Sequence, residues 1–91
     1  VNFEWDPGKA RRNRQKHRVS FLEAATVFGD PLAETYPDPD HSVSERRFIT
    51  VGMSSAGRVL MVAHAERDEN IRIISARKTT AREREQYEEK N

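Results

Sequence analysis

Residues 45–77 read ERRFITVGMSSAGRVLMVAHAERDENIRIISAR, and this stretch decides the fold. Between Glu45 and Met53 apolar side chains alternate, with Ile49, Val51 and Met53 on one face, which is the period-two pattern of a strand. Ser54-Ser55-Ala56-Gly57 supplies a turn. Arg58 to Arg67 is apolar on both faces for most of its length, which predicts a central strand. Asp68-Glu69-Asn70 is a second turn, and Ile71 to Arg77 a last strand. Three consecutive strands joined by short turns predict an antiparallel meander.

The flanks add helices. Val1 to Trp5 is apolar at alternate positions, a short N-terminal strand. Asp6 and Pro7 are a helix cap and a first helical residue, so a helix is expected from Pro7 to about His17. Ser20 and Glu23 form a capping-box pattern for a second helix, whose buried stripe reads Phe21, Leu22, Ala24, Ala25 and Phe28. Gly29 and Asp30-Pro31 end it. Residues 30–44 hold three prolines and four acids, which predicts a long surface loop. Thr79 or Thr80 caps a final helix to about Glu89; with only Ala81 and Tyr87 as apolar residues, that helix should dock lightly. The expectation is one α+β domain over residues 1–91. It consists of an antiparallel sheet (the meander plus the short N-terminal strand), two N-terminal helices and one C-terminal helix.

At 91 residues the chain has enough material for one modest core, burying roughly two thirds of its unfolded surface. It has no cysteine, so neither a disulfide framework nor a thiolate zinc site is expected. Three scattered histidines do not make a metal site, and no cofactor is read. No apolar run is long enough to span a bilayer and no signal-peptide pattern is read, so no membrane association and a cytoplasmic location are expected. The net charge of +1 hides an asymmetry. Residues 9–18, KARRNRQKHR, carry six Lys or Arg and no acid, whereas residues 30–45 carry acids and no Lys or Arg. A chain so divided can hold a polyanion at one place and a basic partner at another. The basic helix has almost nothing apolar to bury, so its purpose should lie in its charge. Lys9, Asn13, Lys16 and His17 share one face by helical spacing.

These residues are similar to a known family. FEWDPGKARRNRQKHRVSFLEAATVFGDP, followed by SERRFITVGMSSAGRVLMVAHAERDENIRIISARKTTAREREQYEE, resembles the BrnT family of bacterial type II toxins from about Phe3 to Glu89. The order and spacing of W-D-x-x-K, of K-H-x-V-S-F and of I-R-I-I-S-A-R before a Tyr-bearing helix carry the resemblance. It implies a RelE-like domain that cuts RNA and stops translation. It also implies a BrnA-like antitoxin partner that binds DNA, the pair repressing its own operon. One departure is Arg18, where the family usually has glycine between His and Val. It extends the basic cluster and removes the glycine from a bend.

RNA cleavage without a metal uses the neighbouring 2′-OH as nucleophile. It needs a base, cations for the phosphorane-like transition state, and an acid for the 5′ oxygen. Arginine suits the middle task because its planar fork grips phosphate oxygens. With a three-residue turn at 68–70, Arg67 faces Ile71 and Met61 faces Arg77, so Arg67 and Arg77 lie roughly 20 Å apart. Arg58 instead starts the central strand at Arg77's end, and these two are expected to converge on one phosphate. The resemblance agrees, since RelE-type toxins commonly place arginines at these two strand ends. Tyr87 is a stacking or proton-donating candidate, with pinning of the last helix as the alternative. His17 is the natural proton carrier, with capping of the helix end as its alternative. His64, among apolar residues, reads as a core histidine, and His41 as a solvated one. Lys9, Asn13, Lys16, Arg67 and Arg72 are the expected RNA contacts, sensitive to salt and indifferent to sequence. A second class of function fits the basic cluster equally well: a non-catalytic nucleic-acid- or antitoxin-binding module acting in repression.

Overall fold

The computed structural model describes residues 1–38 and 45–89. Its order is β1 (Asn2–Glu4), α1 (Pro7–His17), α2 (Phe21–Thr26), a 3-10 turn (Val27–Gly29), β2 (Glu34–Pro37), β3 (Arg47–Met53), β4 (Val59–Arg67), β5 (Asn70–Lys78) and α3 (Ala81–Glu89). The strands form one sheet in the order β1-β5-β4-β3-β2. The class is α+β, but the sheet is mixed rather than antiparallel. β1 runs parallel to β5, with Phe3 opposite Ile71, whereas the β2–β3, β3–β4 and β4–β5 pairs are antiparallel.

β2 lies inside the segment expected to be loop. Its register places Glu34 opposite Val51 and Pro37 opposite Phe48. The proline count masked it: an edge strand tolerates a proline because one side of its backbone has no ladder to complete. His41 lies outside the described residues.

The sheet has two unequal faces. On one, α1, α2 and the 3-10 turn bury Val19, Phe21, Ala24 and Val27 against Leu60, Val62, Ile73 and Ala76. On the other, α3 lays Tyr87 over Val51 and Val59, flanked by Ile49 and Met61. Leu22, expected in the buried stripe, is 72% exposed. α2 is only six residues long. Phe21, Ala24 and Ala25 take its inward face, and Leu22 is turned away by one helical step of about 100°. Position 52 of β3 is buried and takes a glycine because a Cβ there would come within 2.8 Å of the Ala33 Cβ and 2.9 Å of Val27 Cγ1.

Two side chains tie α1 down. Asp6 caps its start, accepting the Lys9 N–H at 2.9 Å. Asn13, 7% exposed, donates to the Val19 and Ala76 carbonyls at 3.0 and 2.8 Å and accepts the Ala76 N–H at 3.0 Å. A helix with no greasy face is thus docked by one buried amide that completes the backbone hydrogen bonding of β5. The helix ends at Arg18, in the left-handed region at φ 59° and ψ 32°, with its N–H donating to the Arg14 carbonyl at 2.9 Å. The bend therefore keeps the glycine geometry without the glycine.

Candidate functional site

The expected convergence of Arg58 and Arg77 does not occur. Successive strand side chains point to opposite faces, and Arg58 is an odd number of residues from Met61, the register partner of Arg77. Arg58 therefore turns to the α1/α2 face and Arg77 to the α3 face. The hairpin register also differs at its far end: Arg67 pairs with Asn70, across a two-residue turn with Asp68 at φ 56°. An irregularity at Ala63/His64, with Ile74 as the extra residue, restores the expected Ala63–Ser75 and Met61–Arg77 pairs.

On the α1/α2 face, Arg58 is held by Glu23 of α2. Its Nε donates to Oε2 at 2.9 Å, and its Nη2 donates to Oε1 and, at 3.1 Å, to the Arg18 carbonyl. Ser54 Oγ adds a hydrogen bond to Glu23 Oε2 at 2.7 Å. The hydrogen bond from Arg58 holds the Glu23 carboxyl below its ordinary range, and the same bond raises the guanidinium. Arg58 Nη1 makes no hydrogen bond to a described residue. Ser20 caps α2 by accepting the Glu23 N–H at 3.0 Å. The Glu23 carboxylate, which the capping pattern would return to the Ser20 backbone, is committed to Arg58 instead. His17 is half-buried at the last position of α1, one residue before the carbonyl that Arg58 touches.

On the α3 face, Arg77 grips Glu83 with both Nη atoms, at 2.8 and 3.0 Å, and also reaches the Lys78 carbonyl and Met61 Sδ. The Arg77 hydrogen bond and the Thr80 N–H lower the Glu83 carboxyl to about 2. Thr80 and Glu83 cap each other's backbone N–H groups reciprocally, so Thr80 is the cap of α3. Tyr87 is buried and donates its hydroxyl to Asp30 Oδ2, which also accepts the Met53 N–H at 2.7 Å. Burial and the Asp30 carboxylate push the phenol up to about 12. Burial pushes Asp30 up too, but hydrogen bonds from Met53, Tyr87 and Leu32 outweigh it and hold the carboxyl low. Beside Tyr87 lies a cleft of about 160 Å³ lined by Glu34, Tyr36, Val51, Met61, Glu83 and Gln86.

The cations of α1 stand apart. None of Lys9, Arg11, Arg12, Arg14, Lys16 and Arg18 is ion-paired with a described residue; the arginines in ion pairs are Arg47, Arg58, Arg67, Arg77 and Arg84. Helical spacing divides them into two exposed flanks, Lys9, Arg12 and Lys16 on one and Arg11, Arg14 and Arg18 on the other. Asn13, expected among the RNA contacts, lies between α1 and β5 with its amide already engaged, so it is a bracket for the helix and not a surface group. Arg67 and Arg72 sit at the other end of β4 and β5: Arg67 approaches Glu4 at 3.7 Å, and Arg72 is opposite Glu4 in the sheet.

His64 is buried, shares a 2.7 Å hydrogen bond with Thr50 Oγ1, and contacts the rings of Phe28 and Phe48. Burial holds its pKa below the ordinary histidine value. Among the described residues no group of His, Asp or Glu could hold a metal ion, and no helix is long and apolar enough to cross a membrane. The residues that sequence reasoning passed over are Glu23, Glu83 and Asp30. Glu23 was legible only as a cap; the partners of all three lie elsewhere in the chain or on another element.

The family model described as "Ribonuclease toxin, BrnT, of type II toxin-antitoxin system" matches residues 5–83. The chain belongs to the BrnT family. The family is one of ribonuclease toxins of type II toxin–antitoxin systems, and such a toxin implies an antitoxin partner. The crystal structure of the Brucella abortus ribonuclease toxin BrnT is similar, with a TM-score of 0.68 and 19% identity over 88% of this chain and 99% of that one. At that identity the likeness concerns the fold. No curated protein matches the sequence. Within the BrnT frame, the four residues expected to act together divide into two pairs. His17 and Arg58 belong to the α1/α2 side of the sheet, and Arg77 and Tyr87 to the α3 side.

Proposed function

We propose that this BrnT-family chain is a metal-independent endoribonuclease whose reacting centre lies at the C-terminal end of α1. One observation carries the reading: His17 ends a helix whose five cations have no carboxylate partner among the described residues, beside the carbonyl that receives Arg58. Phosphates follow the helix along Lys9, Arg12 and Lys16. His17 accepts the 2′-OH proton, and the 2′ oxygen attacks phosphorus. The bond to the 5′ oxygen breaks, leaving a 2′,3′-cyclic phosphate and a 5′-hydroxyl that takes its proton from solvent. Glu23 holds the Arg58 fork flat, and the free Nη1 meets the charge that develops on the phosphoryl oxygens. Arg77 and Tyr87, with both ends of their polar groups engaged, secure α3. The wider role follows RelE-type ribonucleases: RNA cutting in the cytoplasm that halts translation, relieved by a BrnA-like antitoxin that carries the complex to DNA.

The test is cleavage of total RNA in EDTA. Wild type should cut; His17→Ala should lose about 10²-fold or more in rate, in the range of a general base. Arg58→Lys keeps the charge but not the fork and should also be slow. Arg77→Ala should cut whenever it is folded. Wild-type rates for both His17→Ala and Arg58→Lys would sink the assignment. Repeating the assay on translating ribosomes reads ribosome dependence.

One observation favours a non-catalytic binding module instead. Both Arg58 and Arg77 are neutralised by bidentate carboxylates. RNA binding without cutting, on free RNA and on ribosomes alike, would select that reading.

A further inference from the structure

The two flanks of α1 differ in what borders them. Beside Arg11 and Arg14 lies a notch of about 180 Å³ between α1 and α2, walled by Trp5, Ala10, Phe21 and Leu22. Phe21 is a core residue at 2% exposure, so the notch opens onto the core itself, while Leu22 stands on its rim. The same two arginines, with Gln15 and Arg18, line an adjoining trough of about 520 Å³. Notch and trough therefore form one groove, apolar at one end and cationic at the other.

We propose that α1 is shared between two partners. The Arg11, Arg14 and Arg18 flank docks an acidic segment of the antitoxin whose single bulky apolar side chain fills the notch under Leu22, and the Lys9, Arg12 and Lys16 flank is left to RNA. The docking half rests on the toxin reading above; the division between flanks rests on charge and shape. Three guanidiniums without acidic partners among the described residues complement carboxylates, which they grip bidentately, and guanidinium is more weakly hydrated than ammonium, so it suits a contact that excludes water. An exposed leucine beside a core-lined notch is an anchor site for an apolar side chain. Leu22 offers an aliphatic rim rather than a stacking face, and the half-buried Trp5 ring in the notch already packs edge-on with Phe21, 6.0 Å between centroids. Occupation would set carboxylates against Arg14 and Arg18, within one turn of His17, and so oppose phosphate there without filling the reacting centre.

The experiment titrates the full chain with its cognate antitoxin by calorimetry. Leu22→Ser and the double variant Arg11→Ala/Arg14→Ala should each weaken binding about tenfold or more, as expected for anchor positions. Lys9→Ala/Lys16→Ala should bind the antitoxin within about twofold of wild type and lose RNA affinity instead. Thermal melts show that each variant is folded, and Leu22 is exposed enough that its loss should leave the melt unchanged. Antitoxin binding indifferent to both the Leu22 and the Arg11/Arg14 changes overturns the proposal, as does a failure of the antitoxin to bind at all. Trp5, the single tryptophan, gives a second readout. If single-stranded RNA shifts its emission saturably and Leu22→Ser abolishes the shift, the notch belongs to RNA and the proposal falls. RNA cutting by Leu22→Ser without antitoxin should match wild type. Absence of cutting in both proteins, on free RNA and on translating ribosomes alike, would reject the ribonuclease reading while leaving the docking result to stand by itself.

Discussion

The two faces of the sheet are held by different physics. The α1/α2 face is sealed by aliphatic and aromatic side chains that are almost wholly removed from water, with Leu60, Val62 and Val27 at 0% exposure. The α3 face has one buried ring, Tyr87, over a small apolar patch, and is otherwise fastened by an ion pair and hydrogen bonds. Burial scales with area and does not depend on pH. Ion pairs and carboxylate hydrogen bonds depend on the charge of each partner. The sheet and the first two helices therefore form the stable body, and α3 is an attachment whose strength follows the protonation of a few groups.

The largest expected effect tests the body. Leu60→Ala removes a fully buried side chain at the centre of the sheet and should destabilise the chain by about 2–5 kcal/mol, read by urea denaturation. Truncating Met61, its neighbour on the half-exposed α3 side, should cost clearly less; equal losses would break the contrast. Next in size is Asn13→Ala. It strands the Ala76 N–H and two carbonyls between α1 and β5, at roughly 1–3 kcal/mol, and should raise hydrogen exchange along α1.

The pH dependence should separate the faces. Glu83 has a folded pKa of about 2, below its ordinary 4.5, so its contribution is complete above 4.5 and is lost as pH falls from 4.5 towards 2. Discounted for solvent screening, that is on the order of 1 kcal/mol. Tyr87 moves the other way. Its folded pKa of about 12 exceeds its ordinary 10, so its contribution is complete below 10 and is lost as pH rises from 10 to 12. Exchange of α3 amides ahead of β4 amides at both extremes is the expected result. The body has its own window. His64 is held below 6.5 by burial, so stability should decline as pH falls below 6.5, and His64→Gln should flatten that slope. The smallest expected effect is local: Arg18→Gly relieves a left-handed residue and should stabilise by roughly 1 kcal/mol, visible as a small rise in melting temperature.

Much of the fold was legible because its signals are local. Asp6, Ser20 and Thr80 cap their helices where the cap chemistry indicated, the alternating run marks β3, and the run apolar on both faces marks the central strand β4. β2 was hidden by the prolines of the segment around it, and the parallel pairing of β1 leaves no trace in three residues. The candidate site was legible as residue types but not as an arrangement. Arg58 and Arg77 lie at the same end of the sheet as expected, yet the pleat sends them to opposite faces. Asn13 shares the charged helix with the cations, and only its position over β5 makes it structural.

By itself the sequence determined the kinds of element, their caps, the cationic helix without an apolar stripe, and the family motifs. Each of these depends on residues within a turn or a strand of one another. Tertiary structure alone decided which charges are free. Glu23 reaches Arg58 across 35 positions and Asp30 reaches Tyr87 across 57, while the cations of α1 find no carboxylate at all among the described residues. Composition counts 16 basic and 15 acidic residues as nearly balanced. Coulombic and hydrogen-bond energies fall off over a few ångströms, so what matters is which side chains the fold brings together.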